Sequence, residues 1–264
     1  MSITKSQAHL VRIGIAQLQN TSNWDRNFRK AIATINHFAR NKVDLVCFQE
    51  AFLSGYFASV IEKDYAPMQD YLDRIRAHAY KKDICVMMPS LSKRNDKLYN
   101  SIFVYSSDKG DSILHKKGLT EAEATVMKPG GGPRTFQVNG YKFGVIICRE
   151  INDKHYSYLN KNQMPDMLLW PAVWGMFYHS SWTTLDPENP KWNKAFAKVA
   201  KYKIPMALIN LSHQYREKTG ELKKLGKSYC VSAENKVVAV GAYGKPDRIV
   251  LQLQGKKLTK IGNI

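Results

Sequence analysis

Between Val43 and Gln49 the chain reads VDLVCFQ, a short and nearly continuous apolar run containing β-branched residues. A strand with apolar side chains at successive positions has no face to give to water, so it must be buried on both sides. Such a strand needs layers above and below it. The surrounding sequence offers them, because strand and helix signals alternate through the first two thirds of the chain, the pattern of an α/β or layered α+β arrangement. With 264 residues, 44% of them hydrophobic, the chain has the apolar mass for a sizeable core, and a single domain over 1–264 is expected.

LVRIGIAQL (10–18) reads as the first strand. Asn20-Thr21-Ser22-Asn23 offers a helix start, and Trp24, Phe28, Ile32, Ile35 and Phe38 then recur at helical spacing through 24–41. A second helix over 65–82 leads into a strand at DICVMMPS (83–90). SIFVYSS (101–107) and DSILHK (111–116) form an expected hairpin turning at Asp108-Lys109-Gly110, and TFQVNGYKFGVIIC (135–148) another at Asn139-Gly140. MLLWPAV (167–173), a basic helix over 191–203, the strand IPMALIN (204–210) and a hairpin within SYCVSAENKVVAVG (228–241) are expected to complete the chain.

The formal charge of +18 could attract polyanions or acidic substrates. Its densest patch places Lys191, Lys194, Lys198 and Lys201 on one helical face, with Trp192, Ala195, Phe196 and Val199 on the other. No aromatic residues interleave with those lysines as stacking platforms would require, so any attraction for nucleic acid is expected to be nonspecific. Cys47, Cys85, Cys148 and Cys230 are widely spaced and form no CxxC pair, which fits a reducing cytoplasm. The segment from Met167 to Leu185 lacks charged residues, but Pro171, Gly175 and a polar second half make it a strand running into a loop rather than a membrane span. The N-terminal segment does not read as a signal peptide.

Three reactive residues fall at the C-terminal ends of expected strands, where layered α/β folds gather ligand and catalytic groups. Glu50 follows VDLVCFQ, Lys116 follows SILH, and Cys148 closes YKFGVIIC. A carboxylate, an ammonium and a thiol brought together can perform covalent acyl chemistry, the thiolate attacking, the carboxylate moving its proton and the ammonium stabilising an oxyanion. Residue types alone do not bring the three together.

The segments QEAFLSGY (49–56), YNSIFVYSSDKGDSILHKKGLTEAEATVMKPG (99–130) and GVIICRE (144–150) resemble the three signature blocks of the nitrilase (carbon–nitrogen hydrolase) superfamily. Glu50 with Gly55-Tyr56 matches the first block. Asn100-Ser101, Gly110, Lys116, Leu119 and Pro129-Gly130 fall in register with the second, and Cys148 with Glu150 matches the third. MLLWPAVW (167–174), IPMALIN and GKSYCVSAENKVVA (226–239) resemble the later elements, so the likeness runs through nearly the whole chain. Two positions depart from the family pattern: Gly118 stands where the family has His, and Arg149 where it has an aromatic residue.

The resemblance implies a four-layer α-β-β-α sandwich that pairs into homodimers or higher homo-oligomers, with Glu50, Lys116 and Cys148 as catalytic triad. Lys117 is a rival for the lysine. Glu123 matches an extra glutamate near the family's active site, with Glu121 as its rival; Tyr56, Arg149 and Trp174 are expected nearby, with Phe177, Tyr178 and His179 as further candidates for the wall. The implied reaction is double displacement on a small amide or carbamoyl substrate, or on a nitrile, with Lys116 and the Arg149 backbone N–H holding the oxyanion. Acyl transfer and a basic binding protein that keeps the fold without turnover are the other readings. The chemistry calls for no metal or organic cofactor, and the seven histidines show no metal-ligand spacing.

Overall fold

The first helix, α1 (Trp24–Arg40), begins at its cap: the Asn23 side chain accepts the Arg26 N–H at 2.9 Å, satisfying a donor that the helix leaves open. The apolar stripe that follows is buried through Phe28, Ala31, Ile35 and Phe38. A second helix, α2 (Ala66–Lys81), lies beside it and buries Met68, Leu72, Ile75 and Ala79. In the computed structural model, which describes residues 10–56, 63–152, 164–173, 199–216 and 222–263, both helices cover one face of a large sheet.

The first half of the chain supplies β1 (Leu10–Gln17), β2 (Leu45–Phe48), β3 (Cys85–Arg94), β4 (Lys97–Tyr105) and β5 (Ser112–His115). A short helix, α3 (Glu121–Val126), separates them from β6 (Thr135–Val138), β7 (Tyr141–Val145), β8 (Met167–Ala172) and β9 (Met206–Asn210). A ribbon of β10 (His213–Arg216) and β11 (Leu222–Leu225) precedes β12 (Tyr229–Val231), β13 (Val237–Val240), β14 (Asp247–Gln254) and β15 (Lys257–Asn263). One sheet has the order β15-β14-β1-β2-β3-β4-β5, the other β13-β12-β9-β8-β7-β6. In each, three central strands run parallel (β1, β2, β3 and β7, β8, β9) and antiparallel strands flank them.

The two sheets pack face to face. Ile13, Ile15, Leu45, Cys47, Met87 and Ile102 share one buried cluster with Phe143, Val145, Leu169, Ala207, Ile209 and Cys230 from the other sheet. Val46, Phe48, Val86 and Met88 point the opposite way, into α1 and α2, which accounts for the unbroken apolar run of β2. Gly14 allows the close approach of α1: a Cβ there would stand 2.8 Å from the Phe38 ring. Emptying that contact by Phe38→Ala would cost about 3–5 kcal/mol. The outer face of the second sheet is also buried, with Trp170, Met206, Leu208 and Tyr229 packed against Ile151, Val199 and Ile204.

The α/β class and the paired sheets agree with expectation; several elements do not follow the sequence reading. The strand expected at 83–90 runs on to Arg94 and turns directly into β4, with Asn95 and Asp96 both at positive φ (48° and 58°), the geometry of a tight hairpin turn. The chain does not finish on the hairpin of β12 and β13: β14 returns to pair antiparallel with β1 along its whole length, and β15 follows through a turn at Gly255. The strand before Cys148 stops at Val145, and Cys148 opens a single 3-10 turn to Asn152. Most of the basic helix expected over 191–203 lies outside the described residues, as do Trp174, Phe177, Tyr178 and His179. No helix among the described residues is long and apolar enough to cross a membrane.

Candidate active site

Glu50 leaves the end of β2, where the parallel strands of the first sheet open, and Ala51 follows at positive φ (50°) to turn the chain away. Lys116 leaves β5, its own N–H held by the Asn100 carbonyl of β4 at 2.8 Å. Its side chain runs inward and is 1% exposed, and its ammonium donates to Glu50 Oε1 and Glu123 Oε1, both at 2.8 Å. The neighbouring Lys117 and Glu121 are exposed, so geometry separates each rival from its partner.

Glu123 is placed by local sequence. Thr120 caps α3, its hydroxyl accepting the Glu123 N–H at 3.1 Å, while Glu123 Oε2 accepts the Thr120 N–H at 2.7 Å. This capping box fixes the start of a helix too short to hold itself. The other carboxylate oxygen is left for Lys116. Asn100 joins the cluster from β4, donating from Nδ2 to Glu50 Oε1 at 2.7 Å and to Glu123 Oε1 at 3.1 Å. Tyr56, half-buried, hydrogen-bonds Glu123. From the opposite sheet, the Val173 N–H at the end of β8 donates to Glu50 Oε2 at 2.9 Å.

Cys148 is partly exposed and sits at φ 46°, in the left-handed region that costs an ordinary residue about 1–2 kcal/mol. The strained turn is held by its neighbours. Glu150 Oε2 accepts the Ile147 N–H at 2.8 Å, and Trp170 Nε1 donates to the Cys148 carbonyl at 2.9 Å. Glu150 Oε1 accepts the N–H groups of Lys117 (2.6 Å) and Gly118 (3.2 Å), so one carboxylate ties the cysteine turn to the lysine segment. Arg134 forks onto both Glu150 oxygens at 3.0 and 3.1 Å and reaches the His115 carbonyl at 3.0 Å. Arg149 turns its guanidinium to the Leu119 carbonyl, at 2.8 Å.

The electrostatics follow from two buried carboxylates around one ammonium. Burial alone would lower the Lys116 pKa, but the charges of Glu50 and Glu123 and the hydrogen bond to Glu123 outweigh it and hold the ammonium above the usual lysine range. Burial pushes Glu123 upward, yet Lys116, the Thr120 N–H and Tyr56 bring it below the ordinary carboxylate value. Burial is the largest influence on the Cys148 thiol and raises it; Glu50 raises it further by its charge and by hydrogen bonding, against the pull of Lys116. The resting site therefore keeps a protonated thiol hydrogen-bonded to a carboxylate. The Tyr56 hydroxyl is held protonated as well, by burial first and the two carboxylates next. No cluster of three or more His, Cys, Asp or Glu among the described residues is placed to hold a metal ion.

Glu50, Lys116 and Glu123 are thus in direct contact, with Cys148 hydrogen-bonded to Glu50 and Tyr56 to Glu123. The sequence reading did not assign the bridging amide of Asn100 or the guanidinium of Arg134. The Thr120-x-x-Glu123 capping pattern was present in the sequence and would have favoured Glu123 over Glu121.

The chain is similar to several known proteins. The chain is 26% identical over 176 residues to Nitrilase homolog 2 of Dictyostelium discoideum, covering 61% of this chain and 53% of that protein. It is 26% identical over 182 residues to Deaminated glutathione amidase of the same organism, covering 61% and 62%. The matched stretch therefore spans less than two thirds of either relative. Among solved structures, a glutamate-to-glutamine mutant of the amidase from Nesterenkonia sp. AN1, with the acetamide moiety of fluoroacetamide covalently added at its active-site cysteine, superposes with a TM-score of 0.77 at 14% identity, over 97% of this chain and 94% of that one. At that identity the likeness concerns the fold. The carbon–nitrogen hydrolase family model matches residues 12–252, nearly the whole length of both sheets, and the chain belongs to that family.

Proposed function

We propose that the protein hydrolyses a non-peptide C–N bond in a small linear amide or N-carbamoyl compound through a thioester on Cys148. The observation that carries this reading is the Lys116 ammonium, 1% exposed and clamped between Glu50 and Glu123, beside a partly exposed thiol hydrogen-bonded to Glu50. Glu50 takes the Cys148 proton as the sulfur attacks the carbonyl carbon. Lys116 stabilises the oxyanion of the tetrahedral adduct, a contribution of about 3–4 kcal/mol for such a donor. As the adduct collapses, the C–N bond breaks and Glu50 passes its proton to the departing ammonia or amine. Water then attacks the thioester, Glu50 accepts its proton, and the acid leaves as that proton returns to the sulfur. The covalent acetamide adduct at the cysteine of the Nesterenkonia amidase supports this assignment of the nucleophile.

The test is ammonia release from a panel of amides, carbamoyl amines and nitriles, run with wild type and Cys148→Ala. Release from amides or carbamoyl compounds by wild type alone is expected. Equal release by Cys148→Ala overturns the nucleophile, and turnover confined to nitriles makes the protein a nitrilase with the same residues.

A further inference from the structure

Asn100 is 1% exposed and lies on β4, between the strand exits that carry Glu50 and Lys116. Its main chain and side chain act on the same cluster. The carbonyl accepts the Lys116 N–H at 2.8 Å, and Nδ2 gives its two hydrogens to Glu50 Oε1 and Glu123 Oε1 at 2.7 and 3.1 Å. Those two oxygens are the ones that receive the Lys116 ammonium. The orientation of the amide is settled by charge, because a flipped amide would set its oxygen against two carboxylates. Asn100 Oδ1 accordingly has no hydrogen-bond partner among the described residues, although it is buried. An unsatisfied buried acceptor costs about 1–3 kcal/mol, so the two contacts made by Nδ2 outweigh an evident penalty.

We infer that Asn100 is a positioning residue for the reaction assigned above to Glu50 and Cys148: its side-chain N–H groups supply the second half of the compensation for two adjacent carboxylates gathered around a single lysine. Two carboxylates facing one ammonium carry a net negative charge, which disfavours a thiolate beside them. The groups facing the amide are Glu50 after β2, Lys116 after β5 and Glu123 on α3, with Tyr56 and Cys148 behind the carboxylates. Tyr56 helps Glu123, while the described contacts give Glu50 the Lys116 ammonium, the Asn100 amide, the Val173 N–H and the Cys148 thiol itself. Without the Asn100 donor the two carboxylates are less compensated, and the added negative potential holds the proton on Cys148 to higher pH.

The inference rests on the Glu50–Cys148 reading, and the experiment separates the two. Cys148 alkylation by iodoacetamide is followed by peptide mass spectrometry against pH in wild type, Glu50→Gln, Asn100→Leu and the isosteric Asn100→Asp. The pH of half-maximal rate should rise by about one unit or more in Asn100→Leu, and further in Asn100→Asp, which keeps the shape and adds a third carboxylate. A purely structural role predicts the reverse order, with Asn100→Asp close to wild type. A response to Glu50→Gln with none to either folded Asn100 variant overturns the inference alone; no response to Glu50→Gln overturns the catalytic reading with it. Should Asn100→Leu fail to fold, as judged by circular dichroism, Asn100→Asp decides.

Discussion

The Glu50 carboxylate of the first sheet accepts the backbone N–H of Val173 from the second at 2.9 Å, across 123 residues of sequence. The Glu50 carboxylate, the proposed base, is therefore positioned by both halves of the fold. Each of its oxygens faces donors, Oε1 taking Lys116 and Asn100 and Oε2 taking Val173. A glutamine cannot accept at both ends, so Glu50→Gln sets an NH2 group against at least one of these donors. The variant should lose about 10²–10⁴ in turnover, the range of a general base, and about 1–3 kcal/mol of stability from the mismatched donor. Ammonia release and urea unfolding measure the two; a variant above a tenth of the wild-type rate would contradict the assignment.

Removing the cation should be more disruptive to the fold. Lys116→Met leaves Glu50 and Glu123, 1% and 3% exposed, without their shared counter-ion. Breaking a buried pair from one side costs about 3–5 kcal/mol. In wild type, depressed Glu123 stabilises the fold above the unfolded carboxylate pKa of about 4.3 and loses that contribution as pH falls through its lower folded value. Raised Lys116 contributes fully below about 10.4 and loses its share as pH rises through its higher folded value. These two groups therefore leave wild-type stability level between those limits. The variant should instead be weakest at neutral pH and recover as acid protonates its stranded carboxylates. Parallel Tm curves for the two proteins from pH 8 down to pH 4 would refute this.

A third prediction concerns the brace behind the site. Glu150 is 4% exposed, and its carboxylate accepts three backbone N–H groups and the Arg134 fork. Arg134→Met should cost about 3 kcal/mol by leaving that carboxylate half-satisfied. Since Glu150 joins the Cys148 turn to the Lys116 segment, loosening it should lower kcat with little change in KM. Chemical denaturation and steady-state kinetics on the substrate found in the panel would check both; an unchanged kcat in a destabilised protein would confine the brace to folding.

How much of this was legible in the sequence varied with the range of the interactions involved. Local signals were accurate where local chemistry decides: Asn23 capped α1, Asn139-Gly140 turned the hairpin of β6 and β7, and the double-sided burial of β2 followed from its unbroken apolar run. The resemblance to the family placed Glu50, Lys116 and Cys148 in one site, which residue spacing could not do. β14 and β15 went unread because β14's partner, β1, is more than two hundred residues away, and β15, which pairs with β14, interleaves its apolar residues with exposed lysines. Asn100 and Arg134 were equally opaque in role. An asparagine inside a strand and an arginine after a glycine run become informative only once buried carboxylates stand opposite them.

The four cysteines offer a last prediction. Cys47, Cys85 and Cys230 lie in the core between the sheets, and burial raises all three thiols, to about 12 for Cys85 and Cys230. Cys148 is raised too, chiefly by burial, but it is partly exposed and has a carboxylate ready to take its proton. Reactivity requires both access and a route for the proton, and Cys148 alone combines them. Native protein treated with iodoacetamide near pH 8 should therefore carry one label, at Cys148, and unfolded protein four. The single label should form faster as pH rises, because the thiol starts mostly protonated. Labelling of Cys47, Cys85 or Cys230 at a comparable rate in the native state would mean that the sheets open on the timescale of the reaction, and that the intersheet core is less closed than its packing implies.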